Sequence, residues 1–291
     1  MVFSPDREYP EADVSHVGRK RLDLAYAGIS PSQRLDIYLP QAGEGPFTVL
    51  LFIHGGAFAY GDKRDVHVLP FLRGLDHGYA VVGVNYRMSG EAVFPAGVQD
   101  VKAAIRWLRA HAGEHYLDAR RLVACGTSSG ANFAALVGLT EGVRLFDDPT
   151  LGNAAEPADV QAVVDLFGPT DFLAMDEQLT AGGLGPADHG EPGSPESLYL
   201  GATIADVPDL VRAANPMTYI DDHMPPILIQ HGTKDWVVPV QQSIEFARAI
   251  EERVGPGRCE VDLLEGADHD DPAFFTNENL VRIFGFLERR R

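Results

Sequence analysis

Apolar residues along the chain gather in short unbroken runs separated by longer amphipathic stretches. The runs TVLLFIHGG (48–56), YAVVGVNYR (79–87), RLVACG (121–126), VQAVVDLFG (160–168) and PPILIQHG (225–232) are rich in Val, Ile and Leu and end at glycine or polar residues. Such runs suit strands covered on both faces. CEVDLLEG (259–266) adds a last strand. Between the runs lie stripes with helical spacing: Val98, Val101, Ile105 and Leu108; Ile244, Ala247, Ile250 and Val254; Leu280, Ile283, Phe284 and Leu287. The alternation predicts an α/β fold, a mostly parallel sheet with helices on both faces. RKRLDLAYA and QRLDIYLP alternate apolar and polar positions, which predicts two half-exposed antiparallel strands at an N-terminal edge.

One segment breaks this rhythm. Residues 169–215 are rich in Gly, Pro, Asp and Glu, with only short apolar patches. A structureless loop of that length is rare inside a compact domain unless it has a function. We read it as a lid insertion, part mobile loop and part short helix, over a single domain spanning residues 1–291.

Composition narrows the partners. Of 291 residues, 24 are Lys or Arg and 42 are Asp or Glu, a formal charge of −18. A chain this acidic is repelled by nucleic acid and by anionic membranes, so neither is expected as a partner. The two cysteines, Cys125 and Cys259, lack the spacing of a zinc or redox motif. The opening MVFSPDREYPEADVSH has no apolar core of a signal peptide, and no run approaches a membrane span. A cytoplasmic setting is the expectation.

The chemistry begins at GTSSG, residues 126–130. A G-x-S-x-G match arises by chance in roughly one chain in ten of this length. Here it follows a strand pattern and opens a helical one, the context a nucleophile elbow requires. Backbone passes close on both sides of such a turn, so the residues two before and two after the serine must be small. Gly126 and Gly130 satisfy this for Ser128; for Ser129 the same offsets give Thr127 and Ala131. The spacing therefore selects Ser128. The alternative is a small-residue strand–helix turn with no chemistry.

A serine nucleophile needs a base and an orienting carboxylate. Asp235 follows the 225–232 strand and His269 follows the last one, giving the order Ser128, Asp235, His269, each at a strand's C-terminal end. Rival acids are Asp268, Asp270 and Asp271, but neighbours in sequence rarely orient one another's rings. Rival bases are His223 and His231; His231, at a strand exit, reads as structural, and His189, in the insertion, as solvated. A metal site built from Asp268–Asp271 and His189 lacks any ligand spacing, so no metal is expected. His54-Gly55-Gly56-Ala57 follows a buried strand and can aim backbone N–H groups at an oxyanion, with Ser129 adding another. His54 itself reads as a brace for that loop.

With these residues in place, the chain resembles α/β-hydrolases of the esterase and lipase type. The resemblance is to the hormone-sensitive-lipase-like esterases and, more closely, to bacterial feruloyl and acetyl-xylan esterases. It is carried by HGGAF at 54, VNYRMSGEAVFPAGVQDVKAAIRWLRAHA at 84–112, GTSSGANFAAL at 126, HGTKDWVVP at 231 and GADHDDPAFFTNENLVRIFGFL at 266–287. HGGA stands in place of the lipase-like HGGG, YRMSGE in place of YRLAPE, and Ser129 where alanine is usual. The resemblance implies a serine carboxylesterase acting on a small-molecule ester, without cofactor, through an acyl-enzyme. It further implies Gly56, Ala57 and Ser129 as oxyanion donors, with Gly55 shaping the turn, and it leaves a homodimer open. Phe58, Phe172, Leu173, Tyr199 and Trp236 are the candidate pocket walls, with core packing as the alternative for each. Two other readings stand: an amidase or aryl formamidase, suggested by Ala57-Phe58 after HGG, and a catalytically silent hydrolase fold used for binding.

Overall fold

The computed structural model describes residues 9–290. Residues 1–8, within the segment read as lacking a leader, and residue 291 lie outside it. Eight strands form one sheet: β1 (Lys20–Ala25), β2 (Arg34–Tyr38), β3 (Phe47–Ile53), β4 (Tyr79–Val84), β5 (Leu117–Thr127), β6 (Ala162–Leu166), β7 (Ile227–Gly232) and β8 (Cys259–Leu264). Their order is β1-β2-β4-β3-β5-β6-β7-β8. β1 pairs β2, and β2 pairs β4, antiparallel; every later pair is parallel. This is the doubly wound α/β-hydrolase arrangement, and the unbroken runs are its central strands, buried along their length.

The edges depart from expectation in an instructive way. β1 alternates half-exposed and exposed positions, as its pattern suggests, but β2 is buried over four of its five residues, because Leu35 and Ile37 pack into one core layer, Tyr38 into the other, and Asp36 is held by Arg64. β8, at the opposite edge, is never fully buried.

The helices are α1 (Ala96–Ala110), α2 (Ser129–Leu139), α3 (Met175–Gly182), α4 (Pro195–Leu200), α5 (Pro208–Ala214), α6 (Gln241–Val254) and α7 (Asn277–Glu288). The stripes on α1 and α7 are buried as read. The stripe on α6 is corrected: Ile244 is 43% exposed, and the buried face is Gln242, Ser243, Phe246 and Ile250. Two polar residues occupy that face because both have partners. Gln242 Oε1 accepts from the amides of Thr170 and Asp171 at 2.8 and 2.7 Å, and Ser243 Oγ lies 2.6 Å from His231 Nδ1.

The 169–215 segment lies between β6 and β7 and holds α3, α4 and α5. Its two ends are gathered by one side chain. Asn132 of α2 donates to the carbonyls of Pro169 at 2.9 Å and Ala214 at 3.2 Å. With the Gln242 clamp, the insertion starts and finishes beside the helix that Ser128 begins.

A buried ion pair joins the antiparallel edge to the helical layer. Asp100, fully buried on α1, takes a two-pronged contact from Arg87 (Nε at 2.8 Å, Nη2 at 2.8 Å), the Arg87 amide at 2.9 Å and Gln33 Nε2 at 2.8 Å. Removing one partner of such a pair leaves a charge without compensation in a desolvated place. Asp100→Ala is expected to lower unfolding free energy by about 3–5 kcal/mol, read as a fall in urea midpoint at unchanged slope; a loss below about 1 kcal/mol would show that Arg87 is rescued by water.

Candidate active site

Four strand exits converge at the C-terminal edge of the sheet. β5 leads into Ser128, β3 into the 54–61 turn, β7 into Asp235 and β8 into His269. β3 and β5 are neighbours in register, with Ile53 opposite Gly126, so the glycine turn and the serine turn emerge side by side.

Ser128 sits at φ 52°, ψ −124°, a left-handed, strained conformation between strand and helix. The turn is possible because its flanks carry no side chains. A Cβ on Gly126 would lie 2.1 Å from the Gly130 carbonyl oxygen, and one on Gly130 would lie 2.2 Å from the Ile53 oxygen. Both approaches are to backbone and cannot yield.

His269 Nε2 is 3.0 Å from Ser128 Oγ, and His269 Nδ1 is 2.7 Å from Asp235 Oδ2. A carboxylate only accepts, so Nδ1 carries the proton and Nε2 is free to accept from the serine hydroxyl. Asp235 is fully buried, and its Oδ1 accepts from the amides of Val237 and Val238 at 2.9 and 2.8 Å. Burial opposes its charge, but the His269 and His231 contacts prevail and hold its pKa far below the usual carboxylate range. For His269, burial likewise opposes the charge. Asp235 above all, then Asp270 and Asp268, outweigh it and raise the imidazole above its ordinary value.

The rival acids are engaged elsewhere. Asp268 accepts from Trp236 Nε1 at 2.7 Å, Asp270 faces His67 at 2.9 Å, and Asp271 caps the 272–275 turn. Among the rival bases, His223 is exposed, while His231 is buried with Nε2 3.2 Å from Asp235 Oδ2 and 2.8 Å from the Val238 carbonyl. His54 is stacked on Tyr86 at 4.6 Å with Nδ1 2.7 Å from the Gly55 carbonyl oxygen. His189 corrects the expectation of a solvated side chain. It is 7% exposed, with Nδ1 3.0 Å from Glu196 and Nε2 3.0 Å from the Val237 carbonyl, so it links the insertion to the loop bearing Asp235.

Gly55, Gly56 and Ala57 border the cleft at Ser128. Gly56 and Ala57 both have positive φ, 116° and 51°, the backbone of a tight turn that small residues carry at least cost. Among the described residues, the N–H groups of Gly56, Ala57 and Ser129 find no protein acceptor.

The cleft over Ser128 has a volume of ≈ 190 Å³ and is also bounded by Tyr9, Tyr60, His67, Phe167 and Val237. A second cavity of ≈ 210 Å³ adjoins it through Ala57, Tyr60 and Val237, and runs under the insertion along Pro186, Asp188, Glu191 and Trp236. Of the expected wall residues, Trp236 borders the second of these two cavities, and Phe58, Phe172, Leu173 and Tyr199 border neither. Phe58, Phe172 and Tyr199 are at most 2% exposed, with Phe58 stacked on Tyr199 at 4.1 Å, and support the cleft from behind; Leu173 is 46% exposed on the outer surface. Phe167, whose edge meets His269 at 4.9 Å, and His67 were not singled out from the sequence. Phe167 ends an apolar strand run, where a core residue looks the same, and His67 becomes legible only when residue 270 is placed beside it.

Comparison with known proteins agrees with this architecture. The chain is 31% identical over 232 residues to esterase LipQ of Mycobacterium tuberculosis, which covers 78% of this chain and 52% of LipQ. It is 29% identical over 248 residues to esterase LipC of the same organism, covering 83% of this chain and 58% of LipC. The chain thus spans a little over half the length of these curated relatives. Among solved structures, a truncated carbohydrate esterase from gut microbiota superimposes with a TM-score of 0.82 at 28% identity, covering 97% of this chain and 99% of that one. A bifunctional GH43-CE protein of Bacteroides eggerthii gives 0.81 at 33% identity, over 93% of this chain and 35% of that one. The BD-FAE family model matches residues 35–250, and the chain belongs to that family of α/β-hydrolases.

Proposed function

We propose that the protein is a serine carboxylesterase. The observation that carries this reading is the continuous chain from Ser128 Oγ through His269 to Asp235, 3.0 and 2.7 Å, on a strained elbow beside unused amide donors. Ser128 Oγ attacks the ester carbonyl while His269 Nε2 takes its proton. The carbonyl oxygen becomes an oxyanion against the N–H groups of Gly56, Ala57 and Ser129, and Gly55 shapes their turn. His269 then protonates the departing alcohol, leaving an acyl-enzyme. Water, deprotonated by His269, cleaves it, and Ser128 recovers its proton. Asp235 holds the imidazole tautomer and balances the imidazolium. The names of the esterase relatives support the reaction class.

The two adjoining cavities support a two-part substrate, a short acyl or feruloyl-like aromatic group on one side and a larger alcohol on the other. The carboxylates of Asp188 and Glu191 border the second cavity, so a neutral, hydroxyl-bearing alcohol suits it better than an anionic one. We read the 169–215 insertion as a lid roofing that half. Phe58, the aromatic that invites comparison with aryl formamidases, is buried behind the cleft and offers a formamide no special contact. The reading keeps a cytoplasmic setting, supported by the two free cysteines, and neither nucleic acid nor membrane as partner. Among the described residues no helix is long and apolar enough to cross a membrane.

Three measurements test this. On p-nitrophenyl acetate, Ser128→Ala is expected to lower kcat by ~10³-fold or more, whereas Ser129→Ala, which keeps the backbone donor, should retain most turnover; an aryl formamide hydrolysed in preference to acetate and methyl ferulate would replace the esterase reading by an amidase one. The pH profile follows from His269. The base must be unprotonated, and its pKa is raised, so kcat/KM should fall as pH drops through a midpoint above the ordinary value of about 6.5. Full activity at pH 5 would remove His269 as the base.

A further inference from the structure

Beside His269 lies a second histidine held between carboxylates. His67 Nδ1 is 2.8 Å from Asp65 Oδ1, and His67 Nε2 is 2.9 Å from Asp270 Oδ2. Carboxylates offer no proton, so both ring nitrogens must donate, and the ring is an imidazolium. Its two ends differ. Asp65 is 3% exposed and built into the fold: it caps the 66–68 turn, accepts from the Asp62 amide at 3.2 Å and bridges Glu11. Asp270 sits in the loop after β8, directly after His269, at φ 58°, a conformation that a non-glycine residue adopts at a cost. Its other oxygen, Oδ1, is buried and finds no hydrogen-bond partner among the described residues. The carboxylate next to the base thus depends on His67 for compensation.

We propose that His67 is a positioning residue: an imidazolium strut between Asp65 and Asp270 that fixes the loop carrying His269 and cancels the negative charge beside it. This rests on the role of His269 proposed above. Burial opposes the charge on His67, but the bonds to Asp270 and Asp65 prevail and push its pKa up to about 9, so the strut stays charged at neutral pH. The other titratable groups facing this pair come from every neighbouring element. Tyr9 meets the His67 ring edge-on at 4.3 Å, His54 and Asp62 belong to the segment after β3, Asp268 shares the β8 loop, Asp235 follows β7, and its partner His231 lies within β7. Asp235 and Asp268 raise His269 in any case; the strut governs only the contribution of Asp270.

That separation makes the two ends of the strut act in opposite directions on His269. Removing His67 leaves Asp270 uncompensated, so His269 should hold its proton more tightly. Removing the charge of Asp270 takes away one of the groups that raise it. The experiment uses the whole chain, with imidazole NMR titrations and kcat/KM profiles from pH 5 to 10 for wild type, His67→Gln, Asp270→Asn and the double variant. The His269 midpoint is expected to rise by about half a pH unit in His67→Gln and to fall by a similar amount in Asp270→Asn, with the double variant following Asp270→Asn. In both single variants kcat should drop about tenfold through misplaced geometry. Midpoints that stay put, or move the same way in both variants, would overturn the proposal, as would a wild-type His67 titrating near 6.5. Asp270→Asn is nearly isosteric and its side chain is a third exposed, so it tests the strut even where His67→Gln does not fold. Absence of ester turnover in the wild type would defeat the esterase reading, and the NMR titrations would still judge the strut.

Discussion

The structure turns on one crowded crossing of backbones. β5 must leave the sheet, reverse into α2 and pass the end of β3 with carbonyl oxygens closer than any side chain permits; Gly130 lies against the Ile53 carbonyl, and Gly126 against Gly130. This crossing forces Ser128 into left-handed backbone and out of the sheet's end. It also sets Ser129 at the head of α2, at the end of the sheet where the turn after β3 emerges, because β3 and β5 are neighbours in register. The strain is local, and it is held by the burial of β3, β5 and α2 around it.

From that point the site is assembled by loops tied to one another. Asp235 is held by the amides of Val237 and Val238, Val237 by His189 of the insertion, and His231 by Ser243 on α6. The insertion is held in turn by Asn132, four residues beyond Ser128, and by Gln242, next to Ser243. A region rich in glycine and proline is therefore fastened to the acid loop and to the helix behind the serine. Its position beside the second cavity follows from these bonds and from Phe172, Met175, Tyr199, Leu200 and Val211, which pack into the main core rather than a core of their own.

The architecture was legible because its signals are redundant: runs of Val, Ile and Leu, glycines at exits, and stripes on α1 and α7 all point to the same layers. The candidate site was legible where one loop contains the evidence, as with the glycine offsets that separate Ser128 from Ser129. What stayed hidden has physical causes. The buried face of α6 includes Gln242 and Ser243, which hydropathy reads as exposed; their burial is affordable only because Thr170, Asp171 and His231 supply partners from distant parts of the chain. Phe58, Phe172 and Tyr199 have the composition of a pocket wall, but a ring that lines a cleft and a ring that supports the lining differ by one layer, and spacing does not encode that layer. His67 and Asp270 are 203 positions apart, and neither has a motif that names the other.

The charge distribution explains why such distant partners were worth bringing together. In a chain of net charge −18, carboxylates gather at the exits of β3, β7 and β8, and those near His269 raise its imidazole. Histidines answer this one by one. His231 and His269 share Asp235, His67 takes Asp65 and Asp270, and His189 takes Glu196. An imidazole suits the task better than a lysine because it is rigid and can donate in two directions, joining two loops with one charge. His231 spends its other nitrogen on the Ser243 hydroxyl of α6, whereas His269 Nε2 faces Ser128. The same residue type thus serves as strut and as base, and the difference between the roles is whether the second nitrogen meets a group built into the fold, as His231 meets Ser243, or the hydroxyl at the cleft, as His269 meets Ser128.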